Sequence, residues 1–168
     1  MSDTLRTIGR LLFLSLFQIL ILNHIQLSGY LNPYLYVLFV LTLPAGMSRT
    51  NLLFWGFASG LIIDIFENSG GAHASATLLL AYLRPTILRL TYPRADEDLS
   101  RVSLWTMGSS RFFTYVSIGI IVHHFWLFLM EAFRISEVLS VLSRTFISVP
   151  VTLVMIYITQ LFVYREES

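Results

Sequence analysis

The residues that could do chemistry gather in one stretch, Gly56 to Pro85, GFASGLIIDIFENSGGAHASATLLLAYLRP. Two apolar segments flank a short polar turn, and between them they carry Asp64, Glu67, His73 and Arg84. An ionisable side chain inside an apolar run is costly in lipid, and it marks a place where charge is paired, bound or moved. Asp64 and His73 bracket the turn and so share one end of the hairpin. Arg84 lies about eleven residues beyond His73, some 16 Å along a helix, and belongs to the opposite half.

Further ionisable residues fall at the depth of Asp64 once the apolar runs are laid side by side. The expected outer polar cluster is His24, Asp64, Glu67, His73, Glu131 and Arg144. Three chemistries fit it: mutual pairing that ties helices together, an outward-opening pocket for a small ligand or a partner's segment, and a proton or ion path through Asp64 and the mid-depth His123 and His124. Asp64 is expected to meet a donor, with His73 and Arg144 the nearest by depth, since an unpaired carboxylate in lipid is expensive. His123 and His124 point about 100° apart on a regular helix, so they cannot both ligate one metal; packing histidines are the plainer reading. Arg84 can run its stem toward the nearer headgroups and donate to the carbonyl that Pro85 leaves free one turn back. Gly56 and Gly60 form a G-x-x-x-G pair, which lets two helix backbones approach closely and suits holding a partner helix. Gly70 and Gly71 belong to the turn.

Catalytic patterns are missing. There is no H-E-x-x-H helix, phosphate-binding glycine loop, G-x-S-x-G elbow or dinucleotide fingerprint. Ser59 precedes a glycine but lacks one before it, and reads as a small packing residue. Neither an enzyme nor a cofactor or metal is expected. The chain has no Cys, so disulfides and thiolate metal sites are excluded.

These residues must be positioned by membrane helices. Only 12% of the 168 residues are charged, against roughly a quarter in soluble domains, and the mean hydropathy is +0.71. The runs predict one polytopic domain over 1–168, with spans at about Ile8–Leu27, Tyr34–Met47, Leu52–Phe66, His73–Leu90, Phe112–Phe133 and Val138–Val163. The first reads as a retained signal anchor. It ends in a Ser28-Gly29-Tyr30 and Asn32-Pro33 turn, with Tyr30 and Tyr34 as interfacial residues. The second is short, and Pro44-Ala45-Gly46 should loosen it; a five- or four-helix bundle is the alternative if it does not cross. Leu99, Val102, Trp105 and Met107 predict a short amphipathic surface helix in the hydrophilic stretch 91–111, whose Asp96-Glu97-Asp98 reads as a solvated turn.

All eleven basic residues are arginine. With a cytoplasmic N-terminus, Arg6, Arg10, Arg49, Arg89, Arg94, Arg101, Arg111 and Arg165 lie inside and Arg134 outside, as the positive-inside rule requires. The expectation is therefore an all-α membrane protein, a compact bundle of about six transmembrane helices with both termini cytoplasmic.

Gly60-Leu61-Ile62-Ile63-Asp64-Ile65-Phe66, followed by Gly70-Gly71-Ala72-His73-Ala74 and Ala76-Thr77-Leu78-Leu79-Leu80-Ala81-Tyr82, resembles the rod-shape-determining protein MreD family. There a Gly-x-x-x-Asp segment ends one helix, a glycine-containing turn follows, and a small-residue-rich helix begins. The motif covers about thirty residues; Leu83-Arg84-Pro85 looks like a branch-specific extension. The resemblance implies a non-catalytic, multi-pass subunit of the cell-elongation complex in the bacterial cytoplasmic membrane. It would bind MreC and, through it, MreB and the peptidoglycan synthases. It also implies a bundle similar to the substrate-binding subunit of energy-coupling-factor transporters. The alternative function, from the outer polar cluster, is such a substrate-binding subunit of a vitamin-uptake transporter.

Overall fold

The computed structural model describes residues 3–24, 33–93, 95, 101–133 and 135–163. Among these, the regular elements are helical: α1 (Asp3–Leu20), a 3₁₀ turn (Leu22–His24), α2 (Val37–Leu41), α3 (Arg49–Glu67), α4 (Ala72–Thr91), α5 (Leu104–Met107), α6 (Ser109–Ala132), a second 3₁₀ turn (Ile135–Glu137) and α7 (Val138–Val163). Three stretches, Thr4–His24, Ser109–Ala132 and Val138–Phe162, are long and apolar enough to cross a membrane. α3 and α4 have 19 and 20 residues, or about 28–30 Å, but are diluted by Arg49, Asp64, Glu67, Arg84 and Arg89.

The surface is inverted relative to a protein folded in water. Phe13, Leu20, Phe54, Ile65, Phe66, Phe146 and Phe162 are exposed, while Gln18, Asp64, His73, Thr77, Arg84, His123, His124 and Thr152 are buried. In hydrocarbon, outward apolar side chains carry no penalty, and polar groups gain only by finding partners inside.

At the centre runs the segment from Pro33 to Leu43, buried at every position. It was expected as the second spanning helix, and this is corrected: its only α-helix is the five-residue Val37–Leu41, about 7.5 Å long, far short of a hydrocarbon core of about 30 Å. Backbone groups beyond a helix end must still be bonded when water is absent, and here side chains of other helices do this. Before α2, Gln18 Oε1 accepts from the amides of Leu35 (2.8 Å) and Tyr36 (3.4 Å), Gln18 Nε2 donates to Pro33 O (3.0 Å), and Thr152 Oγ1 accepts from Tyr34 N (3.3 Å). After α2, Arg84 donates to Leu41 O, Leu43 O and Pro44 O, and Arg10 to Thr42 O and Thr42 Oγ1. Tyr115 donates to Leu41 O at 2.8 Å. The segment is thus held at one end by α1 and α7 and at the other by α1, α4 and α6.

These contacts fix two levels in the molecule. Arg10, Thr42, Arg84 and Tyr115 mark one, and Gln18, Tyr36, His73, His123 and Thr152 the other. Tyr34, expected at an interface, is 3% exposed in this second level. The amphipathic surface helix is corrected as well: α5 spans four residues, with Leu104 and Met107 buried and Trp105 about half exposed. A reciprocal Ser103–Thr106 capping box starts it, and Gln160 of α7 accepts from Leu104 N and Trp105 Nε1. Leu99, the Asp96-Glu97-Asp98 turn, the Ser28-Gly29-Tyr30 turn, Asn32, Arg94, Arg134 and Arg165 lie outside the described residues.

α3 and α4 form the most closely packed pair. A β-carbon placed at Gly56 would lie 2.6 Å from Ala81 Cβ and 3.0 Å from Thr77 O. One at Gly60 would run into Thr77 Oγ1, His73 O and Ala74 Cα. The G-x-x-x-G face is therefore spent inside the chain, on α4, and is not available to a partner helix. Gly60→Ala is expected to cost about 1–3 kcal/mol, because backbone atoms of α4 must move. Gly9→Ala meets nothing within 4 Å and should hold stability or raise it by up to about 1 kcal/mol through helix propensity. Thermal unfolding of the two variants in detergent compares them; equal effects would contradict the close α3–α4 contact.

Candidate functional site

α3 ends at Asn68, whose φ of 54° is left-handed, and Gly70 and Gly71 follow at φ 63° and 95°. Two glycines in this region let the chain reverse within a few residues. The same choice leaves α4 without a cap of its own, since Gly71 at its N-cap has no side chain to accept from the first amides. Asp64 supplies the cap from the neighbouring helix. Its Oδ1 accepts from His73 N at 2.9 Å and from Ser69 Oγ, and its Oδ2 accepts from Ala74 N at 2.8 Å. The carboxylate also lies at the positive end of the α4 dipole. The donor expected for Asp64 is thus the backbone of His73, not its ring, and Arg144 is engaged elsewhere.

The His73 ring turns away and begins a buried chain. Nε2 lies 2.8 Å from Glu67 Oε2, and Nδ1 lies 2.9 Å from the Tyr36 hydroxyl. That hydroxyl lies 2.9 Å from His123 Nε2. With Glu67 ionised, the carboxylate only accepts, so His73 carries its hydrogen on Nε2 and its Nδ1 accepts from Tyr36 O–H. The Tyr36 oxygen then accepts from His123 Nε2–H, and His123 Nδ1 is left with a lone pair. It is one of two buried side-chain polar atoms without a partner among the described residues, the other being Ser15 Oγ. His124 is satisfied separately, with Nδ1 3.0 Å from Ile120 O and Nε2 3.1 Å from Thr152 Oγ1.

Tyr34 fills the space between these groups, its ring centroid 5.1 Å from His73 and 5.4 Å from His124, with Phe128 at 6.3 Å. Phe128 in turn carries the Arg144 guanidinium 4.1 Å above its ring, and Arg144 donates to Glu131 at 2.7 Å.

The expected outer cluster therefore resolves into parts. Asp64, Glu67 and His73 come together at the α3–α4 turn. Glu131 and Arg144 form their own pair between α6 and α7, joined to the first group only through aromatic rings. His24 is exposed at the end of its 3₁₀ turn and joins neither among the described residues. Ser59 is fully buried and donates to Gly56 O at 2.8 Å, a packing residue. Arg84, expected to reach for headgroups, points into the bundle at 1% exposed and binds the segment after α2. No three His, Asp or Glu converge as a metal site among the described residues.

Gln18, Tyr36, Tyr115 and Thr152 escaped the sequence reading, and Tyr34 was read only as an interfacial residue. A tyrosine within an apolar run is the one local sign they left. It marks a hydroxyl that must be bonded somewhere, but not where. No protein-family model matches the chain, and no curated protein or solved structure matches it either.

Proposed function

We infer that this chain is a non-catalytic, multi-pass scaffold of the bacterial cytoplasmic membrane, similar to MreD, acting in cell elongation by binding MreC. The observation that carries the reading is the Asp64 cap. In the resemblance, Gly60, Asp64, the glycine turn and the small-residue helix form one motif, and here those residues form one working unit. Gly60 lets α4 approach, Gly70 and Gly71 turn the chain, and Asp64 caps the helix that begins there. A motif whose parts all serve one helix junction suits a protein whose product is a stable shape.

The order of the two levels agrees with this reading: α1 and α6 run from the Arg10–Arg84 level to the Gln18–His73 level, and the central segment and α4 run back. On this reading the positive-inside rule gives both termini a cytoplasmic position. The vitamin-transporter alternative calls for a chamber in the outer half, where the rings of Tyr34, Tyr36, His73, His123 and Phe128 stand packed together. That packing favours the scaffold. Affinity purification of the tagged chain from gently solubilised native membranes is expected to recover MreC. Its recovery alone, under conditions that keep other membrane complexes intact, rules out the scaffold reading.

A further inference from the structure

We propose that Arg6 and Arg10 of α1, backed by the buried Arg84 of α4, form an anion site for the phosphate of an acidic phospholipid. The site lies at the first of the two levels, and the orientation inferred above puts it in the cytoplasmic leaflet. It rests on that orientation for its leaflet alone and not on the binding of MreC, whose recovery is read separately. Four consecutive carbonyls, Leu41 to Pro44, accept from two guanidinium groups. Arg10 donates to Thr42 O at 3.4 Å, and Arg84 donates to Leu41 O and Pro44 O at 3.4 Å each and to Leu43 O between them. Two full positive charges thus stand side by side on one short piece of backbone. Arg101 acts on Arg10 as a third like charge. Arg6 lies one turn before Arg10 on the same face of α1, and both are exposed. Among the described residues no carboxylate is paired with Arg6, Arg10 or Arg84; Asp64, Glu67 and Glu131 are engaged at the other level.

An arginine that serves only to orient a span can hang in water below the membrane. Arg10 instead sits nearly two turns into the apolar stretch Thr4–His24, at the edge of the hydrocarbon, and Thr42 holds it there. Its Nε makes no bond within the described residues, and neither does any nitrogen of Arg6. A planar guanidinium with donors to spare binds phosphate oxygens through short, charge-assisted bonds. Long stems carry both groups toward the headgroup layer, where basic residues at the cytoplasmic ends of spans meet acidic headgroups. A β-carbon at Gly9, beside Arg10, would meet nothing within 4 Å, so the helix surface there is open to a headgroup. Arg84, 1% exposed, does not touch the lipid; it adds charge from behind and is fixed in place by its carbonyls. Depth selects the lipid over an acidic peptide. A peptide would have to bring its own backbone polar groups into this layer, whereas lipid phosphates already line it.

The test is native mass spectrometry of the full chain in detergent, titrated with phosphatidylglycerol or phosphatidylcholine, with and without excess inorganic phosphate. Phosphatidylglycerol is expected to bind more tightly than phosphatidylcholine, which carries no net charge, and to stay bound when inorganic phosphate is added. Arg6→Gln and Arg10→Gln should each weaken phosphatidylglycerol binding about tenfold, the effect of losing one charge-assisted bond, and leave phosphatidylcholine unchanged. Arg111→Gln, at the start of α6 where the guanidinium covers the Tyr92 ring, should change neither. Equal affinity for the two lipids means that the chain's own carboxylates balance the arginines, and an equal loss in Arg111→Gln means diffuse attraction; either overturns the site. Displacement of the lipid by inorganic phosphate assigns the site to free phosphate and overturns the lipid. Arg10→Gln also takes a donor from Thr42, so thermal unfolding is measured for each variant. Where it shows Arg10→Gln misfolded, Arg6→Gln decides alone, because Arg6 has no bond to lose within the described residues. Unchanged phosphatidylglycerol affinity in Arg6→Gln then overturns the proposal.

Discussion

Asp64→Ala is expected to lower the unfolding free energy by roughly 3–5 kcal/mol. The substitution strips the acceptor from His73 N, Ala74 N and Ser69 Oγ. A buried donor left unbonded costs about 1–3 kcal/mol, and bonds to a charged group are the stronger kind. Water that reaches the turn recovers part of the loss, which holds the total below the sum of three. Asp64→Asn keeps one acceptor oxygen but turns its NH2 group toward one of the two backbone N–H donors, so an intermediate loss of about 1–2 kcal/mol is expected. Thermal or denaturant unfolding in detergent measures both. Hydrogen exchange locates the effect, which should be fastest at the His73 and Ala74 amides. Wild-type protection of those amides in Asp64→Ala would disprove the cap. Because the carboxylate is occupied by the chain's own donors, the amount of folded protein and the recovery of a partner should fall together.

Arg84→Met has the second large effect, at the opposite level. Methionine fills much of the volume but donates nothing, leaving Leu43 O and Pro44 O without the donor they have here; Leu41 O keeps Tyr115. Two orphaned carbonyls at about 1–3 kcal/mol each, offset by relief of a buried charge, give an expected loss of roughly 2–4 kcal/mol. Arg84→Lys should recover little, since one ammonium cannot span three carbonyls and a phenol as a planar guanidinium does. Exchange at the Thr42 and Leu43 amides should accelerate in Arg84→Met, while His73 and Ala74 stay protected. Uniform acceleration at both sites would instead mean that the two levels open as one unit.

The sites show where local reading ends. Gly60, Asp64, Gly70 and Gly71 were joined into a unit only by the resemblance; their own types and spacing gave a packing pair, a carboxylate in need of a donor and a turn. The pairing of Asp64 was legible as a need but not as a partner: a backbone amide looks the same in every sequence, so side-chain donors drew the attention. Tyr36 was hidden for a related reason. Its hydrogen-bonding partners His73 and His123 are 37 and 87 residues away, and no spacing rule reaches that far.

By itself the sequence determined the membrane character, the positions of the long helices, the α3–turn–α4 corner and the absence of thiol chemistry. All of these depend on composition and on periodicity within one helix. Only the tertiary structure decided what becomes of the second apolar run. A run of fourteen residues such as Tyr34–Met47 is equally apolar as a helix or as a broken segment, so hydropathy cannot separate the two. What separates them is whether other helices can bond the backbone that the helix leaves open. Gln18, Thr152, Arg10, Arg84 and Tyr115 do so from four different helices. By breaking there, the chain brings Tyr36 between His73 and His123.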